Sequence, residues 1–539
     1  MKECKILDCT LRDGGYYNNW DFEPEVVEAY LDSVVKAKID FVELGLRNFP
    51  QSEFLGAFAY TTEDYLNSLD LPVGPMYGVM VDAKTILSSS LSVKEAVDKL
   101  FVPANQSRVS LVRVAAHFGE VEKSGPIVEY LKALGYKVGY NLMQAGGKPT
   151  EVITAKAKQA SEWRELDVLY FADSLGNMDT HEVERIVNAI RLGWKGELGI
   201  HTHNNMGKGL DNTLAASNVG VTWLDTTVTG MGRGAGNTQT ESLLAMLDKM
   251  GSRYNSRPIY ELVIRYFEKM QKDYGWGSNL LYFLGAQNDV HPTYIQNLLS
   301  NAHYGTEEIV GAIDYLSKLD GTTSYNGAVL NSALSFNSSC RPISGSLAIK
   351  SLFQQKDILI VTNGLSTSKY SNAIELYINK NKPVVISINL VESIPSHLID
   401  YYVVSHNSKY LSDASRYESV DKPIVLPKHR FSETELECIS KCTIIDYGLD
   451  VKSNLIASNG SHAVIPFDIT TAYLLAMLLE SKPRTIKSVG FDGYEKNDPR
   501  QQEMLSILEL YEGAGGERIT SLTPTSYPMN KGSVYAPNV

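Results

Sequence analysis

Eight short β-rich runs, each followed by a helical pattern, fill roughly the first 240 residues of this 539-residue chain. The runs are KILDC (5–9), DFVELGL (40–46), YGVMVD (77–82), SLVRVAA (110–116), KVGYNL (137–142), VLYFADS (168–174), LGIHTH (198–203) and TWLDTTV (222–228). The segments between them, such as 24–37 and 125–135, carry apolar residues at helical spacing. Strands alternating with helices build a parallel sheet, and eight units are the number that closes a (β/α)₈ TIM barrel of about 250 residues. An open doubly wound sheet is the rival. It seldom needs eight consecutive units, and it leaves the polar residues at so many strand ends unexplained.

The chain is too long for one hydrophobic core. The barrel accounts for residues 1–245. Over 246–352 the strand signals fade and helical patterns such as 258–275 and 293–302 take over, which predicts a helical extension. Residues 353–539 return to an α/β pattern. Strands are expected at 357–364, 382–389, 400–406, 422–427, 443–448 and 485–493, and a long helix at 468–481. This reads as a Rossmann-like α/β domain nearer an open sheet than a barrel. The tail from Gly513, rich in Gly, Ser, Thr and Pro, is expected to be partly a loop.

The net charge of −12 gives no general electrostatic reason to bind nucleic acid or an anionic membrane. No apolar run is long enough to span a bilayer, and the N-terminus runs straight into a strand pattern rather than a targeting segment. Cys4, Cys9, Cys340, Cys438 and Cys442 are scattered, which argues against a disulfide framework and for a reducing cytoplasm. Expected partners are small molecules; a homodimer is compatible with the sequence.

Active sites of such barrels lie at the C-terminal ends of the strands. There the first strand gives Asp8 to Gly15, the second Glu43, the sixth Asp173 and Ser174, the seventh His201 to Asn205, and the eighth runs into Gly232–Asn237. On a strand, residues i and i+2 face the same way, so His201 and His203 enter the barrel mouth together. Two imidazoles with one carboxylate and open positions make a catalytic metal site. Asp13 is the best carboxylate, because closure makes the first, seventh and eighth strands neighbours. Arg12 beside it can stabilise an enolate or alkoxide, or pair with Asp8 or Glu43. Ser174 suits a substrate carboxylate or a helix cap. The Gly232–Asn237 loop lets backbone approach a ligand, or is a tight turn that needs glycines; Asn237 could reach the metal.

Asp-Cys-Thr-Leu-Arg-Asp-Gly-Gly (8–15) with His-Thr-His-Asn-Asn-Met-Gly (201–207) resembles the DRE-TIM metallolyase superfamily, which is HMGL-like. Val112 to His117 and Asp173-Ser174 resemble its 4-hydroxy-2-oxovalerate aldolase group most, over residues 4–245. The resemblance implies a divalent metal, manganese or magnesium, on Asp13, His201 and His203, with Asn237 a further ligand. It implies that Arg12 stabilises a pyruvate enolate and that Ser174 contacts the pyruvate carboxylate. Aldolases of the group carry a general-base His three residues after the metal-binding Asp; here Tyr16 stands there, and an unperturbed tyrosine, of pKa about 10, is a poor base at neutral pH. A metal-activated water, Tyr16, Tyr17 or His117 would take over, or the acceptor differs. A tyrosine from the helical extension completes the group's site, and Tyr294 or Tyr274 is the candidate. Glu43 joins the catalytic set.

The implied function is a carbon–carbon lyase joining or cleaving pyruvate and an aldehyde, which in surface-polysaccharide biosynthesis would be a sugar aldehyde. An acyl-CoA-dependent 2-oxo acid condensing enzyme is the alternative, although the condensing branch carries Glu-Gln where this chain has Gly15-Tyr16, which argues against acetyl-CoA condensation. Two others are a barrel retained as a scaffold and a nucleotide-sugar transferase with a vestigial barrel. For the last, Thr362 to Ser366, Ile388-Asn389 and Val489 to Gly493 weakly resemble a sialyltransferase-like Rossmann group. That resemblance implies a nucleotide at Asn363, Gly364 and Ser366.

Overall fold

The computed structural model describes residues 4–163, 165–301, 306–319, 321–327, 329–330, 344–345, 349–406, 410, 413–431, 433–494 and 498–536. It divides into two compact units: 1–297 with 320–325, and 298–319 with 326–539. The cut falls inside the stretch read from sequence as one helical extension. Cys340 lies outside the described residues.

In the first unit all eight expected strands form: β1 (Lys5–Asp8), β2 (Phe41–Leu46), β3 (Met76–Asp82), β4 (Leu111–His117), β5 (Lys137–Met143), β6 (Val168–Asp173), β7 (Glu197–Thr202) and β8 (Trp223–Thr226). They close in sequence order into a barrel, with β1 parallel to both β2 and β8. Residues of one parity point outward and pack on the helices. The Pro24–Lys36 helix shows the pattern: proline opens it, and Val26, Val27, Tyr30, Leu31 and Val34 face the strands.

The other parity points inward and stacks in layers. The floor is apolar: Leu7, Cys9, Phe41, Leu111, Val168, Tyr170 and Trp223, with Phe41 stacked on Trp223 at 3.9 Å between ring centroids. Two residues further along their strands, Phe41, Leu111 and Trp223 are followed by Glu43, Arg113 and Asp225. The barrel therefore carries a buried charged layer above its floor, with Arg113 over the Tyr170 ring at 4.8 Å.

In the second unit an all-parallel eight-stranded sheet forms. Its strands are β9 (Asp357–Val361), β10 (Val384–Ile388), β11 (Tyr401–Val403), β12 (Ile424–Leu426), β13 (Ile444–Asp446), β17 (Thr485–Val489), β18 (Ile519–Ser521) and β19 (Asn530–Lys531), in the order 13-12-11-10-9-17-18-19. The order reverses at β9, as in a doubly wound Rossmann-like sheet. The Thr470–Ser481 helix is buried from Ala472 to Leu478, which explains its unbroken apolar run.

Three elements depart from the sequence reading. The tail is not merely a loop: β18, which carries the strand formers Ile519 and Thr520, pairs with β17, and β19 pairs with β18 to extend the sheet edge. The run at 443–448 splits, with β13 joining the large sheet and β14 (Gly448–Val451) a small one with β15 (Ala457–Ser458) and β16 (His462–Ile465). A helix at Pro499–Gly513 also forms. No helix among the described residues is long and apolar enough to cross a membrane.

Candidate active site

Arg12 and Asp13 lie on a single helical turn, Thr10–Asp13, that starts just past β1, and both are buried. His201 is inside β7 and His203 one residue beyond it, their ring centroids 5.0 Å apart. One ligand atom each from Asp13, His201 and His203 can be chosen so that all lie within 4.8 Å of one another, a group that could hold a metal ion. Cys9, His201 and Asp225 form a second such group. Burial raises the Cys9 thiol and keeps it protonated, so the first group has the better donors.

The acceptors fix the imidazole tautomers. His203 Nδ1 lies 2.8 Å from the Asp173 carbonyl, which can only accept, so Nδ1 donates and Nε2 keeps its lone pair. Burial, reinforced by His201, lowers the His203 pKa to about 3, so the ring is neutral. His201 Nδ1 faces Asp225 Oδ2 at 2.9 Å and its Nε2 faces Asp13 Oδ2 at 3.4 Å. Burial pushes the His201 pKa down, but the two carboxylates outweigh it and raise it. Asp13 is likewise opposed by burial, yet Arg12 and His201 hold its carboxyl well below the usual range.

These contacts belong to a closed electrostatic ring inside the barrel. Arg12 Nη1 meets Asp13 at 2.5 Å and its Nε meets Glu43 Oε2 at 2.8 Å. Arg113 meets the same Glu43 oxygen at 2.6 Å and Asp225 Oδ2 at 2.5 Å. Asp225 returns to His201, and His201 to Asp13. Both Glu43 oxygens accept from arginines, so Glu43 acts through Arg12 and Arg113, holding both guanidiniums in place.

Three polar atoms of this layer are buried with no hydrogen-bond partner: Arg12 Nη2, a donor, and Asn237 Oδ1 and Asp225 Oδ1, both acceptors. Asn237 Nδ2 donates to Asp13 Oδ2, which turns Oδ1 away from that carboxylate. Buried polar groups normally find partners, so an unpaired donor and an unpaired acceptor beside a metal-type cluster fit a cation and an anionic substrate.

The remaining expected residues are placed as follows. Ser174 does not cap a helix; its oxygen accepts from Gln144 N–H at 2.9 Å, which ties the loops after β5 and β6 and leaves its O–H free to donate. Tyr17 donates to Gly234 O at 2.6 Å, and burial raises its phenol further, which removes it as a base. Tyr16 packs edge-on against Trp20 and under Arg233. His117 ends β4, its backbone N–H on Glu120. Tyr294 is fully buried, with its hydroxyl on Ser324 O and its ring against Tyr325; Tyr274 is 45 % exposed beside Trp276. The extension instead brings His291 into electrostatic contact with the site: burial first, then Arg233, His203 and His117, lower it to about 3.

Arg113, Asp225, Arg233 and His291 are not among the residues assigned from sequence. For Arg113 and Asp225 a signal existed, since each is a lone charge at inward parity within an apolar strand, LVRVAA and TWLDT.

In the second unit a cleft of about 600 Å³ opens at the C-terminal ends of β9, β10 and β17, lined by Asn363, Gly364, Asn389, His406, Asp468 and Asp492 among others. Ser366 does not line it. The Ser366 N–H donates to Asp492 Oδ2 at 2.8 Å and its hydroxyl to Oδ1, so the chain's own carboxylate takes the anion position at that helix start. Gly364 has no room for a Cβ because Gly490 O packs on it, and Asn363 donates to Leu390 O at 2.7 Å. These glycines serve loop packing.

A closed parallel barrel with candidate cation ligands converging at the C-terminal ends of its strands defines a TIM-barrel protein with a candidate metal centre at the face where such barrels carry their active sites. Consistent with that geometry, the chain belongs to the HMGL-like family, whose profile matches residues 3–262. It is 31% identical over 257 residues to a 4-hydroxy-2-oxovalerate aldolase of Carboxydothermus hydrogenoformans, covering 46% of this chain and 72% of the relative. To that of Pelotomaculum thermopropionicum it is 33% identical over 256 residues, covering 47% and 72%. Among solved structures it matches the N-terminal domain of a proposed aldolase from Bacteroides vulgatus with a TM-score of 0.51 at 30% identity, covering 56% of this chain and 97% of that one.

Proposed function

We propose that the barrel is a divalent-metal-dependent aldolase that joins or cleaves pyruvate and an aldehyde through a 4-hydroxy-2-oxo acid. The observation that carries this reading is the convergence of Asp13, His201 and His203 beside the unpaired Arg12 Nη2 and Asn237 Oδ1. Asp13, His201 and His203, with Asn237, would hold manganese or magnesium. Such an ion supplies Lewis-acid polarisation of the 2-oxo group.

The chain's own residues do the rest. Arg12 is held by Asp13 and Glu43 with Nη2 unpartnered, so that N–H edge would stabilise the oxygen where enolate charge develops with little reorganisation. The Ser174 hydroxyl donates to the pyruvate carboxylate. With Tyr17 committed to Gly234 O, the C3 proton leaves to His117, Tyr16 or solvent.

The test is exchange of the pyruvate methyl protons in deuterated water with Mn²⁺. Wild type should exchange, and Asp13→Ala and Arg12→Ala should not. Among His117→Ala and Tyr16→Phe, the variant that slows exchange identifies the base. Activity that survives rigorous chelation would overturn the reading.

A further inference from the structure

The loop Gly232–Asn237 carries one cation that the chemistry above leaves unused. Gly232 lies over the site: a Cβ there would sit 2.5 Å from Asn237 Nδ2 and 3.1 Å from Asp13 Oδ2. Gly234 has φ +68°, its carbonyl accepts from Tyr17, and the next amide, Ala235 N–H, donates to Asn205 Oδ1 at 2.8 Å. The backbone that follows Arg233 is thereby clamped. Its guanidinium lies over the Tyr16 ring, 4.0 Å from the centroid, and Tyr16 is backed edge-on by Trp20 at 4.9 Å.

Arg12 and Arg113 each hold two carboxylates. Arg233 holds none: its backbone carbonyl accepts from Gly236 N–H at 3.1 Å, but among the described residues its guanidinium makes no ion pair and no hydrogen bond. Two further acids at the same end of the barrel are engaged elsewhere, Glu120 after β4 with His117 N–H at 2.9 Å and Asp173 at the end of β6 with Asn177 N–H at 3.1 Å. The charge balance of the layer points the same way. Its two arginines face three carboxylates, Asp13, Glu43 and Asp225, which leaves one negative charge. A divalent ion overshoots by one, and the carboxylate of the 2-oxo acid restores neutrality. Arg233 is then a surplus cation beside a site already balanced, next to a neutral His291.

We propose that Arg233, stacked on Tyr16, is a specificity residue that binds an anionic group at the far end of the acceptor. The substrate class is then an aldehyde bearing a carboxylate or phosphate, and its aldol product a 2-oxo acid with a second anion. Tyr16 covers one guanidinium face and leaves the planar N–H edge, which suits bidentate pairing with either group. The bond formed joins pyruvate C3 to the aldehyde carbon. C3 loses one proton, the aldehyde oxygen gains one, and the distal anion is unchanged. This inference rests on the aldolase reading, and it gives Tyr16 a role other than that of a base.

The test uses the full chain with Mn²⁺ and matched acceptors, butanal against succinic semialdehyde and glyceraldehyde against glyceraldehyde 3-phosphate. Wild type should favour the charged member of at least one pair by tenfold or more in kcat/KM, and the pair that shows it separates carboxylate from phosphate. Arg233→Gln should collapse that ratio towards one, mainly through KM of the charged aldehyde, and Arg233→Lys should restore part of it. A second readout is titration calorimetry with 2-oxoglutarate against 2-oxovalerate, which differ in a terminal carboxylate. Wild type should bind the former at least tenfold more tightly, and Arg233→Gln should bind the two alike. Equal preference in wild type, or equal losses for both members in Arg233→Gln, overturns the proposal. If wild type exchanges pyruvate protons yet shows no charge preference, only the Arg233 inference falls. If it neither exchanges protons nor condenses any aldehyde, the aldolase reading falls, and the calorimetry decides Arg233 alone.

Discussion

Asp225 Oδ2 sits between an imidazole and a guanidinium, 2.9 Å from His201 Nδ1 and 2.5 Å from Arg113 Nη1. Burial opposes the Asp225 charge, but Arg113 outweighs it and holds the carboxyl below its ordinary range. The ionised Asp225 therefore fixes His201 with its proton on Nδ1 and its Nε2 towards Asp13. Partners of this kind typically tune metal affinity by roughly 10–100-fold. Asp225→Asn should lose Mn²⁺ affinity by that factor in calorimetric titration. Because His201 is also held towards its protonated form by Asp13, metal binding to wild type should release a proton, visible as a dependence of the binding enthalpy on buffer ionisation.

Arg113 is fully buried and bonded to Glu43 and Asp225. Removing one partner of such a network strands the others, at a cost of about 3–5 kcal/mol. Arg113→Met should lower the urea midpoint of the barrel accordingly, and Glu43→Gln in the same chain should recover part of it. Trp20, Trp163, Trp194, Trp223 and Trp276 all lie in the first unit, so tryptophan fluorescence follows that unit alone.

Gly232→Ala places a methyl group 2.5 Å from Asn237 Nδ2. The Asn237 amide must move away from Asp13. Mn²⁺ affinity and aldol turnover should both fall while far-ultraviolet circular dichroism and the unfolding midpoint stay within error of wild type.

Glu241 accepts from Thr229 N–H at 2.9 Å. Burial raises its pKa to about 7 from an ordinary 4.5, against that hydrogen bond and aided by Asp8. The folded state thus holds the proton more tightly than the unfolded chain does. The resulting stabilisation is present below pH 4.5 and is lost as pH rises through about 7. At its largest it amounts to about 3 kcal/mol. Denaturation measured from pH 5 to 8 should show wild type losing stability relative to Glu241→Gln as pH rises, which is the opposite of the usual trend for a paired carboxylate.

The parts of the site that lie close in sequence were legible. His201 and His203 announce themselves by spacing, and Arg12-Asp13 by following a strand. Tyr294 and Ser366 show what a local pattern leaves undecided, for a shared reason. A tyrosine in a helix, or a serine after an Asn-Gly, suits both a site and the packing beneath it, and here Ser324 O and Asp492 take their hydroxyls.

Sequence alone determined the barrel, because period-two strands alternating with amphipathic helices have few ways to bury their apolar faces. It also pointed to the end of the barrel where the candidate site lies. Only the tertiary structure decided that Glu43, Arg113 and Asp225 complete one ring with Arg12, Asp13 and His201. Those residues lie up to 213 positions apart, and their charges meet only once closure sets β1, β2, β4, β7 and β8 around one interior. The structure likewise left Arg233 on Tyr16 without an acid. Burial and partnering depend on which side chains share a space, and no local pattern encodes that.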